Sequence, residues 1–298
     1  MLLAVVLRYA APRPGSTFLD LTLGGGSYAE ALLSRGATVI GIDRDPEAVS
    51  GCQARLSSYG PAFSAHQAGF ASFGSVLDAL GLETVDGIVM DLGLSSLQLD
   101  DPARGFAFRL DGPLDLRFDR SRGLPAWQHL AAADAPTIEG WLSTYGEVRR
   151  ARRIARAMVT AAAAGELRTT AELRDLVSTF TPGPNQSGEL ARVFQALRIL
   201  VNEELEQLDA VLAEAPERLS VGGRLVVVSY HSLEDRRVKQ MLRHESGREQ
   251  GSRHLPAPEV RPARLRILTN KPIVPDEDEL ARNPRARSAR LRAGERIA

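Results

Sequence analysis

Two carboxylates and a run of glycines carry the first chemical signal. Asp20 lies at the end of the apolar run Thr17 to Leu21, and Asp43 closes a second run, Val39-Ile-Gly-Ile. Between them stands Gly24-Gly25-Gly26-Ser27-Tyr28-Ala29, which satisfies the pattern G-x-G-x-x-G/A. Glycines tolerate positive φ and let a ligand approach the backbone, and a helix that starts just after them offers free N–H groups. A glycine-rich turn with no ligand is the plainer reading of the same residues. Asp43, 19 residues after Gly24, is placed where an acid takes the two hydroxyls of an adenosine ribose. A carboxylate at Asp20 would repel a pyrophosphate but attract a sulfonium and an ammonium group. Asp20 and Asp43 together therefore favour S-adenosylmethionine over a nicotinamide cofactor, which would make the chain an oxidoreductase.

These acids need strands to carry them. Thr17–Leu21 and Val39–Asp43 read as buried parallel strands, with Ser27–Leu33 as the helix that packs back between them. Asp45 is a plausible N-cap for the next helix, with Pro46 at its first position. Ala62–His66 reads as a third strand, and Phe70 after it stands where a loop would meet an adenine ring, or serves as a core aromatic. Val85–Asp91 is a fourth strand. Ligands in open α/β sheets bind beyond the carboxyl ends of strands, which places Asp91 at the site, with a helix N-cap as its alternative role. The fifth strand, Gly223–Tyr230, comes so late that the gap far exceeds the dozen or so residues of a simple crossover. A helical domain is therefore inserted between strands four and five.

That region is alanine-rich and helical from Trp127 to Phe180, with Arg149, Arg150, Arg152, Arg153 and Arg156 as a basic face. Thr169-x-x-Glu172 is a capping box, and Thr181–Gly188 reads as a linker. Residues 104–117 mix glycine, proline, phenylalanine and charge, as functional loops often do. Glu189–Leu219 reads as one long amphipathic helix, with Gln195, Arg198 and Asn202 together on a polar stripe that is either solvated or serves a groove. His231, Glu234 and Asp235 follow the fifth strand on the same edge as Asp91; His231 is either a structural histidine or part of the site. Arg264–Thr269 reads as a late strand, Asp276–Glu279 as a helix start, and Asn283–Arg292 as a basic tail that is either solvated or in contact with phosphates.

Bulk properties exclude some classes. The chain has 298 residues, enough for two domains. Basic and acidic residues number 37 each, so net charge does not announce nucleic-acid binding. The positive charge is almost all arginine, Lys239 and Lys271 being the only lysines. Cys52 is the only cysteine, which rules out an intrachain disulfide and a thiolate metal site and fits a reducing, cytoplasmic compartment. The histidines at 66, 129, 231, 244 and 254 show no ligand spacing, so no metal is expected. The apolar start at Met1–Leu7 is far short of a membrane span and lacks a signal-peptide pattern.

Six ordered stretches carry a resemblance. They are Gly41-Ile-Asp-Arg-Asp-Pro46; Asp91-Leu-Gly-Leu-Ser-Ser-Leu-Gln-Leu-Asp100; Arg104-Gly-Phe with Asp111-Gly-Pro-Leu-Asp-Leu-Arg117; Phe194-Gln-Ala-Leu-Arg-Ile199; Ser229-Tyr-His-Ser-Leu-Glu-Asp-Arg236; and Asn283-Pro-Arg-Ala-Arg-Ser288. Together the chain resembles the 16S ribosomal RNA cytosine N4-methyltransferase family, also called RsmH or MraW. The resemblance implies an α/β class I S-adenosylmethionine-dependent methyltransferase, Rossmann-like with a mostly parallel sheet, over residues 1–103 and 189–298. It implies an inserted all-helical substrate-recognition domain over 104–188. The implied reaction is N4-methylation of a cytosine in the decoding region of small-subunit (16S) rRNA. Carried over by position, cofactor contacts fall on Gly26, Ser27, Tyr28, Asp43, Phe70, Asp91 and Gln98, with Gly24 of the same turn beside them; their place at the ends of strands four and five makes Asp91, Ser95 and His231 the catalytic candidates. The oligomeric state, a homodimer among the options, stays open, as do a methyltransferase acting on another RNA or DNA and a non-catalytic assembly factor. Ser27 stands where the family usually has a second glycine; a left-handed φ there would cost serine roughly 1–2 kcal/mol.

Overall fold

The computed structural model describes residues 2–247 and 262–298, so His254 of the sequence reading lies outside the described residues. The chain divides into two compact units, Met1–Gly93 with Glu206–Ala298, and Leu94–Leu205. The helical insertion expected over 104–188 thus corresponds to a wider unit that starts just after the fourth strand.

The first unit opens with α1 (Leu3–Ala10), β1 (Thr17–Asp20), α2 (Ser27–Leu33), β2 (Thr38–Asp43), α3 (Pro46–Arg55), β3 (Phe63–Gln67), α4 (Phe73–Ala79) and β4 (Val85–Asp91). The second holds α5 (Ser96–Asp100), α6 (Ala126–Ala132), α7 (Ala135–Gly146), α8 (Ala151–Ala163), α9 (Thr170–Ser178) and α10 (Gln186–Asn202). Then come α11 (Glu204–Arg218), β5 (Leu219–Ser229), α12 (Ser232–Glu245), β6 (Leu265–Ile267), α13 (Glu277–Arg282) and β7 (Arg290–Arg296).

The seven strands form one sheet in the order β3-β2-β1-β4-β5-β7-β6. The first five run parallel; β7 is antiparallel to both β5 and β6. The chain builds outward from β1 to β3 and then returns to β4 on the other side. This makes a switch point between β1 and β4, the place where open α/β sheets hold ligands. The strands are apolar on both faces because both faces are covered. Phe18, Val39, Val226 and Val228 point into one core with Leu32 and Leu33 of α2, while Leu19, Ile40, Leu225 and Val227 point into the other with Phe73 and Leu77 of α4. Asp45 caps α3 by accepting from the Glu47 N–H at 3.0 Å, with Pro46 at the first helical position; a cap of this kind is worth about 1 kcal/mol.

The helical unit has its own core, including Leu114, Leu116, Ile138, Leu142, Ile154, Met158 and Leu197. Thr169 and Glu172 form the expected reciprocal cap of α9. The 104–117 loop is not a loose surface segment: Phe106, Leu114 and Leu116 are buried in this core.

Two readings are corrected here. Glu189–Leu219 is not one helix. Glu203 takes φ +53°, ending α10, and α11 starts at Glu204. The polar stripe explains the break. Asn202 spends its amide on the Leu116 and Arg198 carbonyls and its oxygen on the Phe118 N–H. Arg198 closes a two-pronged ion pair with Glu204 at 2.8 and 2.9 Å, and Gln195 donates to the Tyr145 carbonyl. Asn202 thus clamps the 104–118 segment, while Arg198 and Gln195 are spent on Glu204 and the Tyr145 carbonyl, so the stripe is neither solvated nor lining a groove. The second correction concerns the basic tail. Residues 290–296 form β7, paired with Ser229 to Arg224 of β5. Leu291 and Ala293 are fully buried, and Arg292 is tolerated inside because Asp235 takes its guanidinium at 2.6 and 3.1 Å.

Candidate active site

Three acids close three adjacent parallel strands of the first unit. Asp20 ends β1, Asp43 ends β2 and Asp91 ends β4. Asp20 is wholly buried. Its Oδ1 accepts from the Thr22 N–H at 3.2 Å, and its Oδ2 has no hydrogen-bond partner among the described residues. Burial pushes its pKa from 3.8 to about 7; the Thr22 amide opposes this, and the charges of Asp43 and Asp91 add to it. Asp43 accepts from the Gly24 N–H at 2.7 Å and the Asp45 N–H at 2.9 Å. Burial raises it to about 6 against those backbone donors. Burial also raises Asp91, which hydrogen bonds from Tyr230 and Tyr28 oppose. A buried carboxylate is costly to keep charged unless a positive charge or hydrogen-bond donors meet it. The electrostatic demand of the site is for a positive charge.

Asp91 is held from several directions. The Tyr230 hydroxyl donates to its Oδ1 at 2.6 Å, and its own N–H donates to Thr22 Oγ1 at 2.6 Å. Tyr28, from the first turn of α2, is a second hydroxyl donor. Burial and the Asp91 charge hold both phenols well above their ordinary range, so each keeps its proton and can donate it to Asp91. Gly93, at φ +99°, follows two residues later; a Cβ there would lie 3.2 Å from the Tyr230 ring. Tyr230 itself is placed by α12, whose Glu234 accepts from the Tyr230 N–H at 2.8 Å.

The glycine turn is locked from behind. Gly24 and Gly26 take φ of +46° and +75°. Arg55 of α3 donates to the Gly25 carbonyl at 2.7 Å and pairs with Glu30 at 2.6 Å, and the Cys52 thiol donates to the Gly24 carbonyl at 3.2 Å. A Cβ on Gly26 would sit 2.7 Å from Arg55 Nη2 and 2.8 Å from Cys52 Sγ. Ser27 is the first residue of α2 and carries no positive φ, so the feared left-handed strain is absent. The turn needs glycine at 24 and 26, and serine is an ordinary helix starter beside them.

The other candidates separate by unit. Phe70 opens a short turn after β3 and is half-buried against the second core. His231 caps the start of α12. Its Nε2 lies 3.0 Å from Glu234 Oε1, without hydrogen-bond alignment. Ser95 and Gln98 belong to the helical unit, where they cap α5 reciprocally: the Gln98 N–H donates to Ser95 Oγ and the Ser95 N–H to Gln98 Oε1. Sequence reasoning did not single out Tyr230, Thr22, Arg55 or Cys52. Tyr230 stood beside the polar run His231 to Arg236 and was overshadowed by it. Arg55 and Cys52 gave no signal, because their roles arise only when α3 folds behind the glycine turn. Among the described residues, no group of three His, Cys, Asp or Glu side chains is arranged to hold a metal ion. No helix there is long and apolar enough to cross a membrane.

Residues 1–297 match the model of the MraW methylase family. The chain belongs to the MraW methylase family. It is 46% identical over 288 residues to the ribosomal RNA small subunit methyltransferase H of Nitrobacter winogradskyi, covering 96% of this chain and 86% of that protein. The proteins of the same name from Azorhizobium caulinodans and Oleidesulfovibrio alaskensis are 44% and 40% identical, covering 99% and 100% of this chain and 86% and 94% of theirs. Family membership places the acidic strand ends and the glycine turn in a methylase, and the parallel sheet with its switch point between β1 and β4 is the class I methyltransferase architecture.

Proposed function

We propose that this methylase uses S-adenosylmethionine to methylate N4 of a cytosine in 16S rRNA of the small ribosomal subunit. One observation carries the reading: the buried Asp20, with an unpartnered oxygen, between two further acids around a left-handed glycine turn. A cationic donor relieves that crowding; a pyrophosphate would worsen it.

The residues fit such a donor by their chemistry. Asp43 is the ribose-binding acid, the 24–26 backbone and Tyr28 line the turn, Phe70 supplies an aromatic face, and the charge of Asp20 favours the cationic end. When bound, the donor supplies an electrophilic methyl group. The cytosine N4 lone pair is delocalised into the ring and is a poor nucleophile, so the protein must hold the amine. Asp91 is the acceptor for an N4 hydrogen. A carboxylate has about four lone-pair sites, so bonds from Tyr230 and Tyr28 leave capacity for one more. The two phenols favour the ionised form of Asp91 against its burial and fix its rotamer, and holding N4 in near-attack geometry, about 3–3.5 Å from the methyl carbon, supplies much of the rate. The base has to leave its stack to reach such an acceptor. Gln98 rests on the family resemblance, and Ser95 and His231 on their sequence positions after the fourth and fifth strands. The exposed arginines at 149, 150, 152, 153 and 156 give the helical unit a face suited to RNA phosphates.

The test is transfer of tritiated methyl groups to small subunits that lack the modification, with naked 16S rRNA and DNA as competing substrates. Incorporation into a cytosine N4 of the subunit supports the proposal. Subunit binding without incorporation favours the non-catalytic assembly factor, and preference for DNA or another RNA redirects the substrate assignment.

A further inference from the structure

A second basic surface lies on the first unit, close to Asp91. Residues 282–290 contain four arginines and no acid. Arg282 ends α13, Arg285 and Arg287 flank Ala286 in a short helical turn over Pro284–Ser288, and Arg290 opens β7. All four arginines are exposed, whereas Ala286 and Ala289 are fully buried. The two alanines pin the backbone to the core and leave the guanidinium groups outside. The inner arginine behaves differently. Arg292 is buried and its charge is matched by Asp235, a carboxylate that Arg290 reaches only at 3.5 Å.

The placement of this segment is fixed by the sheet. Arg290 is in register with Ser229, and Ser229 Oγ donates to the Arg290 carbonyl at 3.3 Å. The next residue of the chain after Ser229 is Tyr230, which donates to Asp91. The basic segment therefore enters the sheet one residue from the group that holds the proposed N4 acceptor. The neighbouring acids lie at the far end of α13, where Asp276 caps the helix and Glu279 accepts from the Leu2 N–H. Charge is thus segregated along the segment, and both ends bear on the site: the Glu279 charge reaches the Tyr230 phenol, while Arg290 enters the sheet beside Ser229.

We propose that the Arg282–Arg290 ridge binds the phosphate backbone of the RNA strand that carries the target base. The inference rests on the rRNA reading above. Arginine forks match phosphate oxygens two at a time. Contacts of this kind set the register of a strand without reading its sequence. On the first unit they would hold the flanking nucleotides at a set distance from Asp91, independently of the helical unit's own arginines.

The experiment compares wild-type protein with Arg285→Gln/Arg287→Gln, and with Arg13→Gln/Arg35→Gln as a charge-matched control at exposed positions elsewhere. Binding to unmodified small subunits is measured between 50 and 300 mM salt, alongside KM and kcat for methyl transfer and calorimetric affinity for S-adenosylmethionine. Both arginines are exposed, so the variant should keep its fold and its cofactor affinity. The expected result is about tenfold weaker subunit binding, a salt slope shallower by about 1.4–1.8, a raised KM and an unchanged kcat, with the control like wild type. Equal salt slopes and KM in wild type and variant overturn the ridge while leaving the rRNA reading intact. Weaker binding with an unchanged salt slope also overturns it, by pointing to a ribosomal protein as the partner. A wild-type protein that binds and methylates no subunit overturns the rRNA reading itself, and the ridge with it.

Discussion

Asp20→Asn should make the donor-free protein more stable at pH 8 and nearly unable to bind its donor. The fold holds Asp20 wholly buried and lifts its pKa from 3.8 to about 7. The folded state therefore prefers the neutral carboxyl. The sign follows from proton linkage: the stability contributed by that proton is fully present below about pH 4 and is lost as pH rises through about 7. At pH 8 the ionised group costs at most about 4 kcal/mol. Asparagine has the same shape without the charge, but its amide donor meets a position where Oδ2 has no partner, which returns about 1–3 kcal/mol. The net gain is about 1–3 kcal/mol, or a rise of about 2–10 °C in the midpoint of unfolding. At pH 5 the wild-type carboxyl is already mostly neutral, so the gain should vanish or reverse. The donor loses one attractive charge, worth about 4 kcal/mol for unit charges 4 Å apart at an effective dielectric of about 20, so affinity should fall by about a thousandfold. Calorimetric unfolding at pH 5 and 8, with titration of S-adenosylmethionine, reads both effects. A variant destabilised equally at both pH values, or one that binds the donor like wild type, refutes the reasoning.

Tyr230→Phe removes a charge-assisted hydrogen bond of 2.6 Å to Asp91. Such a bond is worth about 1.5–3 kcal/mol, so kcat should fall about 10- to 150-fold. Because the lost donor favoured the ionised carboxylate, the acidic limb of the rate profile should also move to higher pH; a rate within twofold of wild type at every pH would count against the role. Gly26→Ala places a methyl group at φ +75° against Arg55 and Cys52. It should weaken donor binding at least about tenfold in a calorimetric titration while α2 and the sheet, read by circular dichroism, persist. Asp43→Ala should weaken donor binding as well, and unchanged affinity would remove Asp43 from the site. Arg292→Ala leaves Asp235 buried without its main partner, which should cost about 3–5 kcal/mol in chemical denaturation; a loss under 1 kcal/mol would show that Arg290 compensates.

The strands that carry the acids were legible because their signal is local. Thr17–Leu21, Val39–Asp43 and Val85–Asp91 are short apolar runs, each with an acid at or beside its end, and each became one of three adjacent parallel strands ending in that acid. The turn was legible for the same reason: three glycines before an amphipathic stretch allow little else. What the sequence concealed depends on partners far along the chain. Arg290 and Arg292 look solvated until Asp235, some 57 residues earlier, neutralises the inner one. Glu189–Leu219 has an unbroken apolar stripe, yet a 3.6-residue period cannot report that Asn202 bonds to a carbonyl 86 residues away and that Glu203 turns left-handed. The second glycine that Ser27 replaces mattered less than expected, because the turn takes its positive φ at 24 and 26.

The same contrast explains why Asp91 could be placed from topology while its chemistry could not. Strand order alone puts the end of β4 at the switch point, but a carboxylate there could equally be a helix cap. What distinguishes it is the pair of phenols, one from α2 and one from the end of β5, which converge only when β1 and β5 flank β4. A helix-capping acid would accept backbone N–H groups ahead of it. Asp91 instead accepts hydroxyl donors from two separate elements beside two other acids, an arrangement that raises the cost of its charge and holds that charge in place. Folding alone gains little from such an expense; the proposed site for a cation and an amine would gain from both parts of it.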